Sequence, residues 1–274
     1  MKRNIWRFGS ESMAGIAVWV ALLVATPIQA SETDGSIPPQ ARGSYAKGSL
    51  KNASALEDEG PGFVKLFRSR HRNYGTFGLV EFILSLSKSI LDLHPEGERI
   101  QVGDLAAIEG GPISGHGSHQ NGLDVDLSFF RSNHLEQPIS DESGFREVFV
   151  TGGKLTENFD LMRNWSFFET AALSGKVQRM FVDPAIKRHY CEWFVSQGGE
   201  THLESEVVET LRRLRPYPNH DDHIHIRLFC PSTSPECRVQ EEVPAGSGCS
   251  EVLQIRGFRA ITPELADLQD EHDF

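Results

Sequence analysis

Two short stretches concentrate the side chains that can bind a cation or move a proton. SGHGSHQNGLDVDL, residues 114–127, holds His116, His119, Asp124 and Asp126; HDDHIHIRL, residues 220–228, holds His220, Asp221, Asp222, His223 and His225. In the first, Leu123, Val125 and Leu127 alternate with the two aspartates, so an extended chain buries one set and places both carboxylates on its other face. In the second, Ile224, Ile226 and Leu228 alternate in the same way with His223, His225 and Arg227. Two such strands can meet with their polar rows together. Zinc sites of hydrolases take three protein ligands from His and Asp or Glu and leave a fourth position for water. His119, Asp126 and His225 supply one such set. The competing reading is bland: surface histidines and an Asp-x-Asp on a solvated strand face give the same letters without a metal.

The elements that would carry these stretches are legible as alternating helices and short strands. From Gly78, the residues Leu79, Phe82, Ile83, Leu86, Ile90 and Leu93 recur at helical spacing. Residues 157–175 show a similar pattern and stop at Gly175, the place for a C-cap. Residues 177–182 read as a strand. Asp183 and Pro184 then read as the N-cap and first position of a helix running to about residue 197. Residues 204–216 read as another helix, broken by Pro216. This order predicts an α+β domain with a small antiparallel sheet carrying the zinc site, flanked by helices. Its expected span is 63–249. An irregular arm rich in Ser, Gly, Pro and charge is expected over 31–62, and an acidic tail over 250–274.

The compartment is set by the ends and by cysteine. Lys2, Arg3 and Arg7 precede an apolar run over residues 13–26, and Ala30 follows in a small-residue cleavage context, which predicts a signal peptide over 1–30 and a periplasmic protein. The apolar run is too short to span a bilayer, so no stable membrane anchor is expected. The formal net charge of −11 offers no basic stripe for nucleic acid. Cys191, Cys230, Cys237 and Cys249 make an even set in an exported chain. Cys230 with Cys237 closes the shortest loop, leaving Cys191 with Cys249.

The two-part signature also carries a likeness. SHQNGLDVDL followed by HDDHIHIRLFCP resembles the penicillin-insensitive murein endopeptidases, within the wider group of lysostaphin and D-Ala-D-Ala metallopeptidases. That group is marked by H-x6-D and a later H-x-H, here His119 to Asp126 and His223 to His225. GSYAKGSL, RHRNYGTFGLVEFI, FVDPAIKRHYC and the CP, EC and GSGC blocks extend the resemblance over most of residues 43–249. It implies exported enzymes that hydrolyse cross-link peptides of peptidoglycan on the D-alanyl side of diaminopimelate. It further implies His119, Asp126 and His225 as zinc ligands, His223 as the base, His220 as another active-site histidine, and His116 as the histidine three residues before the first ligand. Relatives often carry six cysteines in three bridges, and this chain departs from them with four.

An imidazole titrating near neutrality suits proton removal and its return to a leaving amine. His223 is the choice for that role, with Asp221 and Asp222 as rivals, and His220 in the preceding turn is placed to steady an oxyanion. Asp124 fits the orientation of a ligand histidine better than ligation, and His116 fits that supporting role or a second metal. Arg72 and Arg227 are candidates to meet substrate carboxylates. Two other functions stay open at this level: a D-Ala-D-Ala carboxypeptidase or dipeptidase of the same group, and a non-catalytic zinc-containing module that binds peptidoglycan.

Overall fold

The computed structural model describes residues 37–254. The expected signal peptide and residues 255–274 of the expected tail lie outside the described residues. In the first part of the chain, β1 (Gln40–Gly43) and β2 (Gly48–Lys51) form a hairpin, and β3 (Ser54–Ala55), β4 (Glu59–Gly60), β5 (Phe63–Lys65) and β6 (Tyr74–Gly75) follow. These strands replace the irregular arm expected there. Apolar residues are few in this segment, but Ala41, Tyr45, Leu50 and Leu56 are all buried. The hairpin turn needs Gly43: its φ is 67°, and a Cβ would lie 2.3 Å from the Lys47 carbonyl oxygen. β1 is also tied to a distant loop, since Ala41 N donates to Ser234 Oγ at 3.0 Å, Gly43 N to Glu236 O at 2.9 Å and Arg238 N to Gly43 O at 2.9 Å.

α1 (Phe77–Leu93) starts where the Thr76 side chain accepts from Leu79 N, and it buries Leu79, Phe82, Ile83, Leu86 and Ile90. Leu93, expected on the same face, is exposed. After β7 (Ile100–Val102) and β8 (Asp124–Ser128) come the hairpin β9 (Val150–Thr151) and β10 (Lys154–Leu155), then α2 (Leu161–Leu173) and β11 (Val177–Val182). α3 (Pro184–Ser196) opens as its sequence predicts, with the Asp183 side chain accepting from Ala185 N and proline in the first turn. α4 (Ser205–Arg213), β12 (Leu214–Pro216), β13 (His223–Leu228) and α5 (Cys249–Gln254) complete the order.

Among the described residues the main sheet has seven strands in the order β12-β11-β13-β8-β7-β5-β4. β11 with β12 and β5 with β7 run parallel, so the sheet is larger and more mixed than the small antiparallel one expected. The strands of two or three residues at its margins are too short to show alternation. The central part meets the expectation, because β13 pairs antiparallel with both β11 and β8. Val125, Leu127, Ile224 and Ile226 join one core with Phe82 and Leu86 of α1 and Phe167 and Phe168 of α2. Disulfides join Cys191 to Cys249 and Cys230 to Cys237, the pairing expected. The first of these anchors α5 to α3, and Val252 is buried, so the tail expected from residue 250 begins as a packed helix. No helix among the described residues is long and apolar enough to cross a membrane.

Candidate metal centre

Strand register places the polar rows of β8 and β13 side by side. His225 lies opposite Asp126, Arg227 opposite Asp124 and His223 opposite Ser128. Alternation therefore sorts the residues as expected, but the polar face is not solvated: Asp124 is 0 % and Asp126 2 % exposed. Residues 103 and 104 continue the pairing of β7 along the edge of β8, with Gly103 N donating to Asp126 O at 2.8 Å and Asp126 N donating to Asp104 O at 3.0 Å. Tyr45 covers part of the face, the Arg227 guanidinium lying 4.2 Å from the centre of its ring.

Three candidate ligand atoms converge on this face. His119 Nε2 lies 3.2 Å from Asp126 Oδ1 and 3.3 Å from His225 Nδ1, and His225 Nδ1 lies 3.4 Å from Asp126 Oδ1. Bonds of about 2.0–2.1 Å in a tetrahedral zinc site set ligand atoms about 3.3–3.4 Å apart, so the triangle has the edges such a site requires. The other nitrogen of each ring is engaged: His119 Nδ1 lies 3.1 Å from Leu105 O, and His225 Nε2 lies 3.0 Å from Asp124 Oδ1. A carbonyl oxygen or a carboxylate in those places accepts a hydrogen bond from the ring N–H, which leaves the inward nitrogens of neutral rings free to bind a cation. His116 is the neighbour, with Nδ1 3.5 Å from Asp126 Oδ2, and together with His119 and Asp126 it makes a second group of ligand atoms within 4.8 Å of one another.

Without a cation the site's charges balance among themselves. Burial works against the Asp126 carboxylate, yet His119, His223 and His225 hold its pKa well below the usual range. Burial likewise opposes a charged His119, but Asp126 and Asp124 outweigh it and raise the pKa. For His225 burial prevails and lowers the pKa to about 4. Asp124, fully buried, is kept ionised by Arg227 and His225. Its Oδ1 accepts from Arg227 Nε at 2.8 Å, and its Oδ2 accepts from His119 N at 3.0 Å. That last contact holds a residue whose φ is 65°, in the left-handed region that side chains seldom occupy.

His223 and His220 stand beside the triangle. His223 Nε2 lies 3.7 Å from Asp126 Oδ1, while its Nδ1 is bonded to the Asp222 carboxylate. Phe145 stacks on its ring at 5.1 Å, with the planes 13° apart. Burial lowers the pKa of His223, but Asp126 and Asp222 outweigh it and leave it raised. His220 Nδ1 donates to Pro218 O at 2.8 Å, and burial together with His223 and His225 lowers its pKa to about 3. A cavity of about 260 Å³ opens here, with Phe181, Tyr217 and Pro218 on one side and residues 115–118 on the other.

The structure thus brings all the predicted site residues together, and it corrects two expectations about cations. Arg227 is committed to Asp124 and is 3 % exposed, and Arg72 pairs with Asp104, so neither stands free for a substrate carboxylate. No periodicity or motif points to Asp104, Arg70 or Phe145, which arrive from loops and a single short 3-10 turn. Phe181 and Tyr217 flank readable elements, but their facing toward the cleft depends on the sheet.

Known proteins resemble this chain over most of its length. The chain is 32 % identical over 240 residues to a penicillin-insensitive murein endopeptidase of Pectobacterium atrosepticum, covering 86 % of this chain and 80 % of that one. It is 30 % identical over 247 residues to one of Haemophilus influenzae (84 % and 79 %), and 31 % identical over 236 residues to one of Klebsiella pneumoniae (85 % and 81 %). The family's sequence pattern matches residues 41–270, which takes in every residue of the triangle. With a match of that extent, the chain belongs to the penicillin-insensitive murein endopeptidase family.

Proposed function

We propose that the protein is an exported zinc endopeptidase that cuts D-alanyl-diaminopimelate cross-links in peptidoglycan. Family membership makes it a peptidase. The observation that carries the zinc reading is the triangle of His119 Nε2, Asp126 Oδ1 and His225 Nδ1, with edges of 3.2–3.4 Å. These three residues are assigned as the ligands in preference to the group containing His116, because all three edges of their triangle match a tetrahedral site, whereas His116 Nδ1 stands 3.5 Å from the other oxygen of Asp126. Bound zinc with an open position supplies a Lewis acid that polarises a carbonyl and lowers the pKa of water to about 7. The H-x6-D and H-x-H spacing supports placing the protein in the wider lysostaphin and D-Ala-D-Ala group.

The chain's own groups supply proton transfer. His223 presents Nε2 toward the site, removes the proton of the attacking water and returns it to the leaving amine, while Asp222 fixes the ring through Nδ1. His220 faces the same cavity and steadies the oxyanion. One observation favours exchanging these roles. Nδ1 of His220 donates to Pro218 O, so a neutral ring offers a lone pair at Nε2, which suits a base, whereas Asp126 and Asp222 bias His223 toward its charged, donating form.

Two disulfides among the described residues support an oxidising compartment, and the family's murein-directed relatives support the periplasm. The deciding experiment is mass spectrometry of muropeptides after incubating purified sacculi with the zinc-loaded protein. Conversion of cross-linked dimers to monomers is expected. Release of terminal D-Ala with dimers left intact would favour the carboxypeptidase reading, and binding without any cleavage would favour the non-catalytic one.

A further inference from the structure

Asp104 follows β7, is 1 % exposed, and is locked to the site floor by the backbone bond from Asp126 N. Its Oδ2 accepts from three side chains on two other segments: Arg70 Nη1 at 2.9 Å, Arg72 Nη1 at 2.9 Å and His116 Nε2 at 3.1 Å. Each arginine also grips a further segment beside the site. Arg70 Nη2 donates to Glu142 O at 2.8 Å, in the loop that stacks Phe145 on His223. Arg72 donates to Ser114 O at 2.9 Å and to Ser114 Oγ at 2.6 Å, at the start of the segment lining the cavity. Residues 112–118 and 138–146 contain no helix or strand, so these contacts stand in for regular pairing.

We infer that Asp104 is a positioning residue that ties two flanking walls, residues 112–118 and 138–146, and His116, to the floor carrying the candidate ligands. Burial alone would favour a neutral carboxyl, but His116, Arg70 and Lys65 outweigh it and hold the pKa at about 2, so the node stays charged. A substrate in the cavity lies against residues 115–118 and beside the His223 ring on which Phe145 stacks, and holding both segments in place spares the cost of ordering them on binding. The inference rests on the proposed function for where substrate lies, though the wall contacts themselves do not depend on it.

The test is hydrogen–deuterium exchange by mass spectrometry on zinc-loaded wild type and on Asp104→Ala, Asp104→Asn, Arg70→Ala and Arg72→Ala. Asp104→Ala should speed exchange about tenfold or more in both 112–118 and 138–146, with α1 and α2 unchanged. Arg70→Ala should speed only 138–146, and Arg72→Ala only 112–118. Turnover of a cross-linked muropeptide should show KM raised about tenfold for Asp104→Ala, with kcat changed less and zinc content kept. Unchanged walls, uniform acceleration across α1 and α2, or loss of zinc in Asp104→Ala would overturn the inference. Should that variant fail to fold, Asp104→Asn and the two arginine variants decide it, and absence of their separate wall signatures rejects it. If wild type fails to cut cross-links, the proposed function falls while the exchange pattern still reports on Asp104.

Discussion

Asp126 and His225 reach the centre of the site by pairing, whereas His119 reaches it by being tied down. The first two are register partners on β8 and β13, so their ligand atoms meet at 3.4 Å through ordinary strand geometry. His119 lies in a loop, in a left-handed backbone conformation that costs about 1–3 kcal/mol, and needs Asp124 on its N–H and Leu105 O on its ring. Regular pairing places a ligand without dedicated contacts. A loop needs a supporting residue for each one, and here Asp124 and Asp104 fill that place for His119 and His116.

The strongest way to break the strand half is to remove its ligand. His225→Ala should lose zinc and turnover together. His223→Ala should keep zinc while kcat falls about 10²- to 10⁴-fold, checked by elemental analysis and muropeptide release on the same preparations. Loss of zinc from the His223 variant would show that the roles on β13 are misassigned. His220→Ala sharpens this: a larger fall in kcat than for His223→Ala selects the exchanged roles.

The loop half is probed by Asp124→Asn, which keeps the shape but weakens the hold on His119 N and on the His225 ring. Zinc affinity should fall about 10- to 100-fold in competition with a chelator. Wild-type affinity would mean that the loop holds His119 unaided. A pH effect distinguishes the two rings in turn. In the metal-free site the pKa of His119 is raised, whereas that of His225 is lowered to about 4, so His119 is the ring at which zinc competes more with a proton. Zinc uptake near neutral pH should therefore release protons, and apparent affinity should weaken as pH falls toward 5. Titration calorimetry in buffers of different ionisation heat measures this, and zero release would contradict the charge balance described for the triangle.

The alternation of 123–127 and 223–228 was readable because apolar and polar residues differ strongly at a period of two; it sorts Asp126 and His225 to the polar faces of their strands, while the adjacency and register that bring them together come from the sheet. The Asp183–Pro184 helix start was readable because capping is local. Asp104 and Phe145 were not, since their partners come from irregular segments with no period to follow. The strands around Ala41 and Leu50 were hidden for a different reason: composition counts apolar side chains but does not show that each of the few is buried.

Effects on stability, with none expected on the site, lie away from both halves. Replacing Cys191 and Cys249 by Ser, a pair 58 residues apart, should cost about 4 kcal/mol in the loop-entropy account; the Cys230–Cys237 pair, 7 apart, should cost about 2 kcal/mol. Denaturant unfolding reads both. Zinc content of the folded variants should not change, and a change would mean that the disulfides reach the ligand geometry.

β1 finds its partners at Ser234, Glu236 and Arg238, and the Tyr45 hydroxyl donates to Leu228 O at 2.8 Å. A chain made or exported N-terminus first can close the β1–β2 hairpin early but must leave the other edge of β1 without partners until residues 228–238 have emerged. Closure across so long a stretch is slow, and it leaves a strand edge exposed in the interval. Tyr45 is also the ring over Arg227, so the cover of the candidate site is among the last parts to form. A partly emerged chain would carry His119 and Asp126 but not yet the strand bearing His225, and on the proposed roles it could not cut its substrate until β13 has emerged.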